Sequence, residues 1–152
     1  MRRTNLSSAS CPIARSLDEI GDWWTLLIVR DALRGARRFS DFQKKLGLAR
    51  NILSARLKQM VSNGLLEQRP AEDGGAHQEY HLTDKGLRLR LVMAALRQWG
   101  EDNLFEDDQP STMMVETATG RPIARLQLTS DDGRPLRPDE VSTVARFPAD
   151  AY

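Results

Sequence analysis

Two short apolar-periodic stretches fill the sequence FSDFQKKLGLARNILSARLKQMVSNG at residues 39–64. In the first stretch, Phe42 and Leu46 lie about one helical turn apart. Ser40 is a suitable N-cap for this stretch, and Gly47 marks its end. The second stretch follows the short turn LGLA and stops at a further glycine. Two short helices joined by a tight turn that contains glycine form the helix-turn-helix pattern, which this segment therefore predicts.

Two more helices are predicted before this segment. The first extends from Ser10 or Cys11 to Ile20. Ser10 can cap it, and Pro12 fits its first turn, where the missing N–H would have no helical partner. The second, DWWTLLIVRDALRG, is apolar on nearly all sides in its middle and ends at Gly35. Such a helix is expected to be buried at the centre of a domain.

A β-hairpin and a long helix are predicted after the segment. The stretches LLEQRP and HQEYHLT resemble strands, and AEDGGA between them supplies the turn. Thr83 then caps the predicted last helix, DKGLRLRLVMAALRQWGEDNLF. This order of elements predicts a winged helix-turn-helix domain, which is mainly α with a small amount of β structure.

The composition changes after residue 105. EDDQPST is predicted to be an acidic linker, and MMVETATG and RPIARLQLTSDDG alternate like strands. We therefore expect a winged helix-turn-helix domain for DNA binding and dimerisation at residues 1–105. Residues 106–152 are expected to form the acidic linker and a short C-terminal β extension.

The net charge of +1 conceals an uneven distribution of charged residues. Residues 1–100 hold 17 Lys and Arg against 10 Asp and Glu, whereas residues 101–152 hold 5 against 11. Residues 37–69 alone hold 8 basic residues and only 2 acidic ones. Positive charge of this density is typical of a polyanion binder, although charge alone favours a merely solvated surface.

The composition disfavours several classes of protein. No apolar run approaches the ~20 residues that span a bilayer, and no apolar signal region follows the N-terminal arginines. A single cysteine excludes an internal disulfide framework and a zinc site built from several thiolates. His77 and His81 are isolated, so we expect no metal site. No catalytic constellation or phosphate loop is present, so we expect neither an enzyme nor a cofactor. The expected location is a reducing cytoplasm.

The second helix of the motif is predicted to read DNA. Projection at 100° per residue places Leu53, Leu57 and Met60 on a core face, with a polar face opposite. The N-terminal part of such a helix enters the major groove. The candidate base-reading residues, three with hydrogen-bonding side chains and one small enough for close approach, are Arg50, Asn51, Ser54 and Ala55. The candidate phosphate contacts on the same helix are Arg56 and Lys58.

Further residues extend the predicted DNA surface. Those expected near phosphates at the preceding helix are Arg38, Ser40 and Lys44. Those expected in the hairpin, the wing, are Arg69, His77 and Gln78. The wing tip also carries Glu72 and Asp73, which would repel phosphate. Taken singly, each polar residue is more often a cap or a solvated side chain, and an Arg56–Glu67 surface pair is one such alternative.

The last predicted helix carries two apolar stripes. One stripe suffices to cover its own domain, so the other is expected to pack on a second copy of the chain. The predicted dimerisation residues are Leu89, Val92, Met93, Leu96 and Trp99. Met93 and Trp99 could equally belong to the core. A two-fold dimer would present two recognition helices to half-sites of double-stranded DNA about one helical turn (~34 Å) apart.

Dense motifs in a fixed order extend over residues 11–104, namely CPIARSLDEIGDWWTLLIVRDALRGARRFSDFQKKLGLARNILSARLKQMVSNGLLEQR, YHLTDKG and ALRQWGE. Together they closely resemble the HxlR family of bacterial transcription regulators, which are winged-helix proteins related to the MarR group. The resemblance implies a dimer that binds promoter DNA. It also implies a role for Cys11, because several members sense quinones, aldehydes or oxidants through a cysteine in a CP motif.

The C-terminal region also has a relative in the family. Many longer members end in a small β element with CG and CxxCG motifs that looks like a zinc ribbon. The corresponding positions here are Thr119-Gly120 and residues 129–133, where the glycines remain and the thiols are absent. The resemblance therefore implies a degenerate, zinc-less extension.

Cys11 lies at the predicted start of the first helix. The partial positive charge of a helix N-terminus and the nearby Arg15 both favour the thiolate, so Cys11, modulated by Arg15, is the candidate redox-sensing residue. A small packed hydrophobe is the alternative role. In another alternative, a small ligand binds near the dimer interface beside Trp23, Trp24 and Trp99, and Cys11 is structural. A winged helix that binds only other proteins is a further alternative.

Overall fold

The computed structural model describes residues 5–71, 73–106, 109 and 112–144. Six α-helices and two β-strands lie within these ranges. Their bounds are α1 Pro12–Ile20, α2 Trp23–Leu33, α3 Phe39–Leu46, α4 Arg50–Ser62, β1 Leu66–Pro70, β2 Gln78–Leu82, α5 Asp84–Leu87 and α6 Leu89–Leu104. A 3-10 turn follows at Pro138–Glu140. The predicted winged helix-turn-helix architecture, mainly α with one small sheet, is confirmed.

The N-cap of helix α1 lies one residue later in the chain than the predicted cap, Ser10. Cys11, and not Ser10, is its N-cap, because Pro12 occupies the first helical position. The Cys11 side chain makes no capping hydrogen bond. The helix ends as predicted at Gly21, whose N–H donates to the Leu17 carbonyl oxygen at 2.9 Å.

Helix α2 carries a strong N-terminal cap. The Asp22 carboxylate accepts hydrogen bonds from the backbone N–H of Trp24 at 3.0 Å and from that of the next residue at 3.3 Å. Ile28 and Val29 in the middle of the helix are fully buried, which confirms the predicted central helix. Trp23 in the first turn is 71% exposed, so the burial does not extend to the start of the helix.

Helix α3 is capped by Arg38, and the predicted cap at Ser40 is wrong. The Asp41 carboxylate accepts hydrogen bonds from the backbone N–H groups of Arg38 at 3.0 Å and Arg37 at 3.3 Å. These bonds satisfy N–H groups before the helix, so the helix starts ahead of Ser40. The bond from Arg38 is the main reason why the pKa of Asp41 lies below its ordinary range. Gly47 ends the helix in the left-handed conformation, with φ 63°.

The core lies among α2, α3, α4 and the base of the hairpin. Its largest fully buried side chains are Phe42, Ile28, Leu53, Leu57, Met60, Leu65, Leu66 and Val29. Burial of one such side chain contributes about 1.5–3 kcal/mol to stability. The Phe42 ring also meets the Tyr80 ring of β2 edge to face, with 6.5 Å between centroids. The helix-turn-helix motif and the hairpin therefore share one core.

The wing is an antiparallel hairpin as predicted, and Leu66 lies opposite Leu82 in its register. Gly74 in the connecting turn adopts the left-handed region, with φ 72°. The Tyr80 N–H donates to the Arg37 carbonyl oxygen at 2.7 Å. The segment before α3 therefore borders β2 and attaches the hairpin to the motif.

The predicted long last helix is divided at Arg88 into α5 and α6. Thr83 caps α5 as predicted, since its Oγ1 accepts a hydrogen bond from the Gly86 N–H at 3.1 Å. The same hydroxyl donates to the Gly64 carbonyl oxygen at 2.6 Å. Arg88 keeps near-helical dihedral angles, φ −63° and ψ −20°, so the interruption is slight. Gly86 is buried, and its missing side chain lets α5 approach the carbonyl oxygen of Leu65.

The chain divides into two compact units, Met1–Leu96 and Arg97–Tyr152. In the described part of the second unit, the regions predicted as strands form only isolated antiparallel bridges, Val115–Pro122 and Thr129–Pro135. A proline at each bridge cannot donate to a β ladder, which accounts for such short pairing.

Side-chain oxygens accept backbone hydrogen bonds at the two glycine turns of this second unit. Thr119 Oγ1 accepts a bond from the Arg121 N–H at 3.3 Å, and Asp132 Oδ1 accepts one from the Arg134 N–H at 3.4 Å. The pKa of Asp132 lies below its ordinary range, mainly because Ser130 Oγ donates to it. Among the described residues, no group of three or more His, Cys, Asp or Glu is arranged to hold a metal ion.

Candidate nucleic-acid interface

Helix α4 presents one apolar and one polar face. Leu53 and Leu57 are fully buried in the core, as predicted. On the opposite face, Asn51, Ala55 and Lys58 are exposed. The buried leucines hold the helix against the domain while its N-terminal half remains accessible to a partner.

Arg50 at the start of α4 is held beside the start of α3. The carbon at the centre of its guanidinium group lies 5.2 Å from the ring centroid of Phe39. This distance is within the range of a cation–π interaction. The stacking restricts the side chain and leaves its N–H groups available at the edge of the motif. Ser54, one turn further along α4, is half-buried.

Arg56 forms an ion pair inside the chain. Its Nη2 lies 2.9 Å from Oδ2 of Asp22, the residue that caps α2. The predicted alternative pairing of Arg56 with Glu67 is wrong, because Glu67 pairs with Arg69 on the same strand. Asp22 therefore fixes the flank of α4 to the N-terminus of α2.

Four other cations of the motif form no ion pair among the described residues, although Lys45 is near enough to Asp41 to help lower the pKa of that carboxyl. They are Lys44, Lys45, Arg50 and Lys58. The first two lie in the last turn of α3, and the other two lie on α4. Unpaired charges of this kind, on two neighbouring helices, suit contacts with the phosphates of a duplex.

Arg38 ties the wing to the motif. Its Nη2 donates to the carboxylate of Asp73 at the wing tip, and its Nε lies 3.3 Å from Oε1 of Glu79 on β2. Glu79 is only 8% exposed, and its Oε2 lies 3.4 Å from Nε2 of His81. The bond from Arg38 holds the pKa of Asp73 below its ordinary range, and the same bond raises the pKa of Arg38. We call Arg38, Asp73 and Glu79 the wing clamp.

The remaining predicted wing residues are exposed. Arg69 donates from Nε to Oε1 of Glu67 at 2.8 Å, and the side chains of His77 and Gln78 make no hydrogen bond or ion pair within the described residues. Asp73, which was expected to repel phosphate, is paired with Arg38. Glu72 lies outside the described residues.

Ser40 and Cys11 are both exposed near helix starts. Ser40 is the second residue of α3. Cys11 is the N-cap of α1, and its thiol is free. The Nε of Arg15 donates to the carbonyl oxygen of Ala9, so this guanidinium connects α1 to the chain segment that precedes it.

The predicted dimerisation residues of α6 divide into two groups. Leu89 and Met93 are partly buried and pack against the core of their own chain. Val92, Leu96 and Trp99 are exposed, to 39%, 46% and 59%. The exposed group is therefore available to a partner, and the first group covers the domain.

The pairs Arg56–Asp22 and Arg38–Asp73 were missed by sequence reasoning. Their members lie far apart in the chain, 35 residues for the second pair. No local spacing links such residues, and only the signs of their charges were visible. Their partners become apparent once α2 and the wing have packed against the motif.

A second helix with an exposed polar face, anchored by buried leucines and flanked by a hairpin, defines a winged helix-turn-helix transcription regulator. The profile of the HxlR-like helix-turn-helix family matches residues 19–108. The chain therefore belongs to this family, as the resemblance predicted. In the described part of the chain, none of the helices combines the length and the apolar character needed to cross a membrane.

Individual relatives agree with this assignment. The uncharacterized HTH-type transcriptional regulator Rv3095 of Mycobacterium tuberculosis is 38% identical over 98 residues, which cover 64% of this chain and 62% of that protein. The match thus spans less than two thirds of that relative. The crystal structure of PA1607, a proposed transcription factor, is 51% identical with a TM-score of 0.87, covering 95% of this chain and 100% of that one. The redox regulator HypR in its oxidized form is 25% identical with a TM-score of 0.56, and the match covers 63% of this chain and 100% of that one.

Proposed function

We propose that the protein is a dimeric regulator that binds an operator with two half-sites through α4. The observation that carries the proposal is the exposed N-terminal half of α4 above fully buried leucines. Asn51 would pair with adenine, Arg50 with guanine or a phosphate, and Ser54 with either kind of partner. Ala55 would let the helix approach the bases closely.

The candidate phosphate-contacting residues fall into two groups, those without an ion pair in the chain and those that already pair with a carboxylate. Lys44 and Lys58 have no acidic partner among the described residues, so a phosphate can reach them without competition. Arg38, Arg56 and Arg69 each contact a carboxylate of the chain. A phosphate would have to displace that carboxylate, so we assign Arg56 mainly to the position of α4 and Arg38 mainly to that of the wing. The Arg69 pair lies within β1.

Fluorescence anisotropy with a duplex selected from a random DNA pool tests the proposal. Asn51→Ala is expected to cost about 1–3 kcal/mol in affinity and to relax the preference at one base position per half-site. Lys58→Gln is expected to weaken binding to all duplexes alike and to reduce the slope of log affinity against log salt by about 1.

Gln59→Ala is the matched control, because Gln59 is exposed on the same helix and its Nε2 donates to Oδ1 of Asn63 at 2.8 Å. Its affinity for the duplex is expected to stay within a factor of two. Failure to select any specific duplex would overturn the proposal. An affinity for DNA that does not change with salt would favour a protein-binding winged helix instead.

A second proposal concerns regulation through Cys11. The thiol is exposed at the N-cap of α1, and the similar protein HypR is named a redox regulator. Since the chain has a single cysteine, oxidation can join only the Cys11 thiols of two copies, or Cys11 and a small thiol. Diamide would take up the two electrons and two protons that the two thiols lose. A quinone would instead add to the Cys11 sulfur.

Anisotropy titrations before and after treatment with diamide or a quinone test this second proposal. The treated protein is expected to change its operator affinity, and Cys11→Ser is expected to abolish that change. Equal affinity in both states would make Cys11 structural. It would then favour the alternative in which a small ligand binds beside the exposed Trp23, which quenching of tryptophan fluorescence can detect.

A further inference from the structure

A cavity of about 270 Å³ opens between the end of α2, the wing and the start of α6. Its basic lining residues are Arg37, Arg69, His81 and Arg90, and Leu33 and Leu87 contribute apolar surface. None of the described acidic residues lines it. We call it the arginine pocket. All of its residues belong to the first compact unit.

Two of the four basic side chains already contact carboxylates. Arg69 pairs with Glu67, and His81 lies 3.4 Å from Glu79. These pairs remove most of the attraction that the wing side of the pocket would exert on an anion.

The other two guanidinium groups are not neutralised by the described residues. Arg37 donates from Nη1 to the carbonyl oxygens of Ala32 at 2.7 Å and Ala36 at 3.0 Å, which fixes its guanidinium without cancelling its charge. Arg90 forms no ion pair within the described part of the chain. The pocket therefore offers about two uncompensated positive charges, one of them held rigidly in advance.

We propose that the arginine pocket binds a small organic phosphate monoester. A dianion matches the two uncompensated charges, and its three terminal oxygens suit several planar guanidinium donors better than the two oxygens of one carboxylate. The leucines provide contact for a short carbon body. Because the volume lies just below the usual range for ligand pockets, ~300–1,000 Å³, the body can be no larger than one ring.

Such a ligand would contact three elements at once. Arg37 precedes α3, Arg69 and His81 belong to the wing, and Arg90 lies in the first turn of α6. Its binding would brace the wing against the helices and so alter the affinity for DNA. This regulatory effect rests on the proposed function, whereas the binding itself does not.

Isothermal titration calorimetry of the full chain without DNA tests the binding. The probe is phenyl phosphate at pH 8, where the monoester is a dianion. We expect saturable binding of one molecule per chain, binding of inorganic phosphate at least tenfold weaker, and none of benzyl alcohol. Arg90→Gln is expected to weaken the binding of phenyl phosphate at least tenfold, and Arg90→Lys is expected to weaken it by less.

Arg88→Gln is the matched control, because Arg88 is an exposed arginine two residues away that does not line the cavity. Its affinity for phenyl phosphate is expected to stay within a factor of two. Equal losses in the two variants would reveal general attraction to a basic surface and overturn the proposal. The proposal would also be overturned if phenyl phosphate showed no saturable binding, or if inorganic phosphate bound as tightly as phenyl phosphate.

DNA titrations separate this inference from the proposed function. Phenyl phosphate is expected to change the operator affinity of the unmodified chain at least threefold and to leave that of Arg90→Gln unchanged. If the chain binds phenyl phosphate but no duplex, the proposed function fails and the pocket stands. If phenyl phosphate does not bind while Arg90→Gln lowers the salt slope for DNA, the pocket is a contact for the duplex backbone and the inference is wrong.

Discussion

Gly86 is a buried residue of α5 with no room for a side chain. An added Cβ would lie 2.2 Å from the carbonyl oxygen of Leu65 and 2.8 Å from Cδ2 of Leu82. Because a backbone oxygen cannot move aside cheaply, Gly86→Ala is expected to lower the free energy of unfolding by about 3 kcal/mol. Urea denaturation measures this change.

Gly100 of α6 provides the opposite case. An added Cβ there meets nothing within 4 Å. Gly100→Ala is therefore expected to raise the free energy of unfolding by up to about 1 kcal/mol, since alanine has the higher helix propensity. If Gly86→Ala and Gly100→Ala lowered the free energy of unfolding by similar amounts, the close approach of α5 to Leu65 would be contradicted.

Asp41 makes the stability of the motif depend on pH. Hydrogen bonds from the Arg38 and Arg37 N–H groups lower the pKa of Asp41 in the folded protein. The folded state thus binds fewer protons than the unfolded state, whose Asp pKa is about 3.9. The stabilisation is present above that value and is lost as the pH falls through the lower folded pKa.

Urea midpoints at several pH values between about 2 and 7 check this expectation. The midpoint difference between the unmodified chain and Asp41→Asn should be largest at neutral pH and shrink towards the acid end. Asp131→Asn, which removes an exposed carboxylate with no ion pair in the described residues, should show no such trend. A constant difference for Asp41→Asn would contradict the assigned hydrogen bonds.

At the scale of elements, the wing clamp joins the hairpin to the start of α3. If Arg38 acts by holding the wing, Arg38→Gln should speed hydrogen exchange of the backbone amides of β2 and the wing turn, and should weaken operator binding. Arg69→Gln is the control, because the Arg69–Glu67 pair lies within β1 alone. It should leave exchange of β2 unchanged.

Asp73→Asn distinguishes a clamp from a direct phosphate contact. This change removes one of the two carboxylates that hold Arg38, and with it a negative charge at the wing tip. A direct phosphate contact by Arg38 would then strengthen DNA binding, whereas loss of the clamp would weaken it. We expect weaker binding, measured by anisotropy, together with faster exchange in the wing.

For the whole molecule, the exposed apolar residues of α6 predict self-association. Leu96 is 46% exposed and Leu91 is 65% exposed. Leu96→Glu would place a charge in the proposed dimer interface, so it is expected to give a monomer in light scattering and to lower operator affinity at least tenfold. Arg88→Glu, which places a glutamate at an exposed polar position, should remain a dimer. A monomeric unmodified chain would contradict the dimer.

The helices and their faces follow from short-range patterns in the chain. The spacing of Leu53 and Leu57 identified the buried face of α4, and the glycine at position 47 identified the turn before it. Thr83 was likewise recognised as a cap. These signals lie within one or two helical turns, where the period of the helix alone decides which side chains share a face.

Capping errors show where such local reasoning ends. Ser40 has a good capping side chain, but the Asp41 carboxylate accepts the hydrogen bonds from the N–H groups of Arg37 and Arg38, and the helix begins before Ser40. The strand-like alternation beyond residue 112 likewise gave only isolated bridges, because prolines interrupt the pairing. In both cases two local preferences competed, and their relative strengths could not be judged from the pattern.

The sequence by itself determined the winged helix-turn-helix order, the family, the core face of α4 and the basic surface around it. These depend on the identity and spacing of neighbouring residues. Only the tertiary structure decided that Arg56 and Arg38 are paired with carboxylates, and that Arg37 and Arg90 line one cavity. Those contacts join residues that are distant in the chain, and the energy of an ion pair depends on a distance that exists only after the elements have packed.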